Sequence, residues 1–182
     1  MPCKKLSCKY KTPTKELMRL YNWNLNYIRN IDKWNRENNK AQRRPAINES
    51  LSEGIVQLFI NEHENRECLI NKEGCGDLIC NKSLIEVKCF SSKGPITLNN
   101  YRWSELYIID ATRFEDNYFE IYKCKLSNLS KTFQNIQINN SNKYSDFYYS
   151  GRKCKISFKK LKEQLKYSLK KVFSGSIHQL EK

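Results

Sequence analysis

The sequence predicts an α/β fold in a single domain spanning residues 1–182. Three observations carry this. Apolar residues recur at helical spacing near both ends of the chain. Short alternating or apolar runs, bounded by turn residues, fill the middle. The length of 182 residues suits one domain with a sizeable core.

The elements follow in order. In the N-terminal helical region, residues 1–44, a helix is expected over 14–38, started by Pro13 or Thr14. Its apolar stripe is Leu17, Leu20, Tyr21, Tyr27, Ile28, Ile31 and Trp34, and a break within it is left open. Residues 38–45 form a basic linker, in which Arg43 and Arg44 either stand in solvent or touch phosphates. The core, residues 45–126, opens with a short helix over about 50–61; Ile55, Leu58 and Phe59 give its apolar side and Glu53 lies in its first turn. A hairpin follows, then a buried-type strand at 106–111 and an alternating strand at 118–126. Residues 127–182 are an insertion and a C-terminal helix. The segment 134–151 is polar and Tyr-rich, a long loop or insertion around a short strand at 136–138. The helix runs from about Ser157 with the stripe Leu161, Leu165, Leu169 and Val172, and its lysines form a solvated face.

The chemistry concentrates in the hairpin at 76–88. Placing a two-residue turn at Asn81-Lys82 uses an Asn where φ must be positive. Cys80 then pairs with Ser83, Ile79 with Leu84 and Leu78 with Ile85, and Asp77 falls opposite Glu86. Alternation puts Glu86 and Lys88 on one face, while Ile85, Val87 and Cys89 point into a core. Opposed carboxylates have Cβ atoms about 5 Å apart and repel. A hard divalent cation between them, with Lys88 alongside, relieves that repulsion. Solvated carboxylates with Lys88 as a salt-bridge partner are the alternative.

Composition narrows the partner. Lys+Arg 33 against Asp+Glu 19 gives a net charge of +14, which favours a polyanion. The chain is also rich in Lys, Asn, Ile and Tyr, as an AT-rich coding sequence produces, so part of the lysine excess needs no partner. No signal-peptide apolar region follows Met1 and no run reaches a membrane span, so a cytoplasmic protein with no membrane association is expected. The eight cysteines contain no C-x-x-C pair, which argues for reduced, mostly buried thiols over zinc or disulfides.

Gly76-Asp77 followed by Glu86-Val87-Lys88 is similar to the PD-(D/E)xK nuclease pattern, with Gly-Asp in place of Pro-Asp. The flanks 85–95, Trp103 with 107–112, 125–128 and 156–165 resemble a family of small type II restriction endonucleases that recognise GCNGC-like sites, covering about residues 44–180. The segment 96–102 departs from that family's pattern. The resemblance implies a restriction-endonuclease-like core, a mixed β-sheet flanked by helices. It implies Mg2+ as cofactor, with Asp77, Glu86 and the Val87 carbonyl as ligands and Lys88 as a catalytic residue. It places Glu53 beside the site, to hold a metal-bound water or a second ion; a first-turn Glu that favours the helix dipole is the alternative.

Ser91, Ser92 and Lys93 leave the catalytic strand with Gly94 behind them, and suit phosphate or major-groove contacts. Arg102 stands in the divergent segment, and Arg152 and Lys153 form a second basic cluster. The expected partner is double-stranded DNA, cut as a short, GC-rich palindrome by a homodimer whose symmetry matches that of the site. A junction-resolving or repair nuclease, and a non-enzymatic DNA-binding protein, are the alternatives.

Overall fold

A computed structural model describes residues 9–40, 45–72 and 75–181. Helix α1, Thr14–Glu37, starts directly after Pro13, whose carbonyl accepts from Glu16 N and Leu17 N. It runs unbroken. Leu17, Tyr21, Leu25 and Ile28 are its buried apolar residues. Tyr27 and Trp34, expected on that stripe, are instead exposed together with Trp23. Helix α2, Glu49–His63, is capped by Asn48, whose side chain accepts from Ser50 N. The two helices approach closely at Gly54, where a Cβ would come within 2.5 Å of Leu17 Cδ1.

Seven strands form one mixed sheet. They are β1 (Lys9–Tyr10), β2 (Cys68–Asn71), β3 (Leu78–Cys80), β4 (Ser83–Phe90), β6 (Glu105–Asp110), β7 (Phe119–Cys124) and β9 (Leu169–Gly175), adjacent in that order. Among the described residues only the β4–β6 pairing is parallel. The crossover between those two strands carries β5 (Pro95–Leu98), which pairs outside the main sheet with β8 (Cys154–Ser157).

The β3–β4 hairpin turns at Asn81 and Lys82, with φ of 47° and 72°. Two positive φ values make the turn whose twist matches the flanking strands. The register pairs Cys80 with Ser83, Ile79 with Leu84 and Leu78 with Ile85, as the sequence predicts.

Alternation divides the apolar side chains between the two faces. Ile85, Val87, Tyr107, Ile109, Phe119 and Ile121 face α1 and α2. Leu106, Ile108, Tyr122 and Cys124 face a second cluster built from β5, β8, Trp103 and three short helices: α3 (Lys131–Gln134), α4 (Tyr144–Tyr149) and α5 (Phe158–Gln164). Helix α4 lies within the stretch 134–151 expected as a loop or insertion, and the strand expected at 136–138 is a single bridge between Gln137 and Lys143.

The predicted C-terminal helix is corrected. It stops at Gln164, and Leu169–Gly175 crosses to β7 as an edge strand. Leu161 and Leu165 keep their helical burial, but Leu169 and Val172 belong to the strand. Without β9, β7 would present an unpaired backbone edge. The strand also brings the Phe173 ring 5.6 Å from Phe119 and 6.2 Å from Phe59. A bulge between the pairs Ile121–Phe173 and Tyr122–Lys171 leaves Val172 exposed and switches the face that β9 presents.

Among the described residues no helix is long and apolar enough to cross a membrane. Cys68, Cys75, Cys80, Cys89, Cys124 and Cys154 are free thiols, four of them buried.

Candidate active site

Asp77 immediately precedes β3. Its backbone N–H donates to Ile85 O at 2.8 Å, and its Oδ2 accepts from Val87 N at 2.7 Å. The paired register ends at Leu78, and these two bonds hold Asp77 against Ile85 and Val87, the residues on either side of Glu86. The Lys88 ammonium contacts Glu86 Oε1 and lies 4.0 Å from Asp77 Oδ2. The three residues singled out in the sequence therefore meet at one place.

The face is not the solvated one that alternation suggests. Glu86 has no exposed surface, and the turn after β5 covers it. Asn99 Nδ2 donates to Glu86 Oε1 at 2.9 Å, while Glu86 Oε2 has no hydrogen-bond partner. Burial raises the Glu86 carboxyl to about 7; Lys88 opposes that rise and Asp77 adds to it. Burial also raises Asp77, against Lys88 and the Val87 N–H.

Glu53 is 3% exposed on α2 and pairs with Lys72 at 2.7 Å. Its carboxyl is raised by burial, with Lys72 opposing and Asp77 contributing. Glu49, Glu53 and Asp77 each offer an oxygen within 4.8 Å of the others. Glu49 escaped the sequence reading, although its i, i+4 spacing to Glu53 puts both on one side of α2. Asn99 and Tyr101, which stand over Glu86, had no signal at all: they lie in the segment that departs from the family pattern.

These residues fit a hard divalent cation. The donors are carboxylate oxygens, and one of them, Glu86 Oε2, is buried and unpaired. Leu84 O and Phe90 O accept from the β6 side of β4, so by alternation Ile85 and Val87 direct their backbone groups to the β3 side. The Val87 carbonyl thereby shares the strand edge on which Val87 N meets Asp77.

Gly76 explains the departure from Pro-Asp. Its φ is +76°, and a Cβ there would lie 3.1 Å from Ile85 O. Gly76→Ala should lower the thermal midpoint by roughly 2–8 °C, from about 1–2 kcal/mol of backbone strain. Gly76→Pro, which installs the proline of the PD-(D/E)xK pattern, should cost more, because proline requires φ near about −65°. A Gly76→Pro variant as stable as the parent would contradict this backbone.

The basic candidates separate. Ser92, Lys93, Arg102, Arg152 and Lys153 are exposed. Ser91 is buried and its hydroxyl donates to Pro45 O at 2.8 Å, so that hydrogen is used inside the fold. Pairing of Leu98 with Cys154 brings the Arg152-Lys153 loop beside the 99–102 turn, while Ser92 and Lys93 lie at the opposite end of β5. The Arg152 guanidinium covers the Phe147 ring at 5.3 Å. Arg43 and Arg44 lie outside the described residues.

A separate surface cavity of about 650 Å3 is lined by Glu64, Arg66, Glu105 and Lys123 among others. These four charges pair with one another. Arg66 makes two bonds to Glu105, at 2.7 and 3.0 Å, and Lys123 pairs with both glutamates. No protein family, curated protein or solved structure matches this chain, so its candidate site stands on the geometry of Asp77, Glu86, Lys88 and Glu53.

Proposed function

We propose that this chain is a Mg2+-dependent DNA endonuclease of the type II site-specific kind found in restriction-modification systems, acting as a homodimer on a short, GC-rich palindrome. The supporting observation is the convergence of Asp77, Glu86 and Lys88 on one hairpin, with Glu53 and Glu49 adjoining Asp77. The net charge of +14 suits a phosphate backbone.

Asp77, Glu86 and the Val87 carbonyl would hold the cation. When bound, Mg2+ polarises a phosphate oxygen and acidifies water. The protein groups do the rest. Val87 N fixes the Asp77 carboxylate, and Lys88 and Asn99 fix Glu86. The Lys88 ammonium, at the mouth of the carboxylate pair, orients the attacking water and balances charge that builds on the phosphate oxygens. Lys93, Arg102, Arg152 and Lys153 supply the DNA-facing charge around it.

Digestion of a plasmid of known sequence with Mg2+, followed by end-sequencing, tests the reading. Discrete palindromic ends support it. Cleavage confined to branched substrates would make the protein a junction-resolving nuclease instead, and binding without cleavage in any metal would make it a DNA-binding module.

Lys88→Ala should slow cleavage by roughly 100-fold or more, as expected for loss of a positioned charge. Binding to DNA in Ca2+ should persist in this variant and weaken steeply with added salt. A variant that cuts normally but binds poorly would make Lys88 a phosphate anchor.

A further inference from the structure

The segment that departs from the family pattern is the one that covers Glu86. Asn99 Nδ2 carries two hydrogens. One is donated to Glu86 Oε1 at 2.9 Å and the other to the Tyr101 hydroxyl at 2.5 Å. Oε1 already receives Lys88, so it is saturated, while Oε2 on the same fully buried carboxylate has no partner. The amide therefore selects which oxygen remains for a cation.

The turn is itself gripped from the C-terminal part of the chain. Tyr144, on α4, donates its hydroxyl to Asn99 O at 2.9 Å. Asn128, with no exposed surface, donates to Tyr101 O at 2.8 Å and accepts from Trp103 N at 3.2 Å. Asn128 also donates to the Tyr144 hydroxyl at 3.2 Å, which ties the two grips together. Residues 99–103 are thus held at three successive backbone points by groups remote in sequence. A surface turn with no function beyond connecting β5 to β6 requires no such buried hydrogen-bonding.

We propose that Asn99 is a positioning residue for Glu86, and that Asn128 and Tyr144 form a clamp that holds it in register, so that this part of the second apolar cluster sets the geometry of the cation site. The proposal rests on the reading of Glu86 as a cation ligand. Asn99 acts through Glu86 and has no direct contact with the reacting atoms.

Binding of Mn2+ alone to the full metal-free chain, followed by electron paramagnetic resonance, tests it without reference to cleavage. Asn99→Ala should weaken Mn2+ binding about tenfold with the metal-free thermal midpoint little changed. Tyr144→Phe, which touches no carboxylate, should weaken Mn2+ binding several-fold by releasing the Asn99 carbonyl. A merely structural role would lower the thermal midpoint and leave Mn2+ affinity where it is. Mn2+ binding within twofold of the parent in both variants, while Glu86→Gln loses it, would overturn the proposal. Equal Mn2+ binding by the parent and Glu86→Gln would remove the cation site and the proposal with it. If Mn2+ binds and responds to Asn99→Ala but the parent cuts no DNA, the nuclease reading alone fails and the positioning role stands.

Discussion

Asp77→Ala and Glu86→Ala should each reduce Mg2+-dependent cleavage by roughly 1,000-fold or more, about 4 kcal/mol of barrier, because each removes a ligand of the proposed cation. Folding should survive, since neither side chain contributes to the apolar clusters. Single-turnover digestion measures the first effect. Cleavage within about tenfold of the parent, some 1.4 kcal/mol, would reject the assignment.

The same site gives a stability signature with a definite sign. The Glu86 carboxyl is raised from 4.5 to about 7, first by burial. A group raised in the folded state binds its proton more tightly there, so ionising it costs stability as pH climbs from 4.5 through about 7. The neutral isostere avoids that cost and still accepts from Lys88 and Asn99. Metal-free Glu86→Gln should therefore be more stable than the parent at pH 8, on the order of 1–3 kcal/mol. The advantage should fade below the ordinary carboxylate value of 4.5. Divalent cation should raise the thermal midpoint of the parent and not of the variant. Thermal unfolding in EDTA across that range measures it, and a variant less stable at pH 8 would show that Glu86 is not an ionised, poorly compensated group.

Glu105→Ala should have the largest effect on stability of any substitution considered, about 3 kcal/mol, or a fall of roughly 6–12 °C in thermal midpoint. Glu105 takes both arms of Arg66 and lies 3.3 Å from Lys123, which is only 7% exposed. Removing it leaves two cations sharing Glu64, and Arg66 Nε already lacks a partner. Burial alone would raise the Glu105 carboxyl. The Arg66 hydrogen bonds, with Lys123 behind them, overcome that and hold it below 4.5. A lowered carboxyl stabilises the fold above its unfolded value and loses that contribution as pH falls through its folded one. The deficit of Glu105→Ala should therefore be full at neutral pH and shrink in acid below 4.5. A deficit independent of pH would assign the loss to packing. Cleavage per folded molecule should change little, because Glu105 pairs with Ile85 and so lies on the sheet face opposite to Glu86 and Lys88.

The sequence by itself determined what local geometry controls. Two residues able to take positive φ, Asn81 and Lys82, close the hairpin, and the register they set runs from Cys80–Ser83 to Leu78–Ile85, which brings Asp77 up to Glu86 and Lys88. Pro13 and the 3.6-residue spacing of Leu17, Tyr21 and Ile28 were enough for α1. Tertiary structure decided the rest. Leu161, Leu165, Leu169 and Val172 form a valid helical stripe, but the open edge of β7 takes the last two, because backbone pairing with a distant strand outweighs a propensity of a few tenths of a kcal/mol per residue. Periodicity also cannot tell a polar face that meets water from one covered by another part of the chain. Nothing in the sequence shows that Glu86 is covered; the pairing of β5 with β8 brings Asn99 down on it. That pairing joins residues about sixty apart in sequence, and nothing local to either strand encodes its partner.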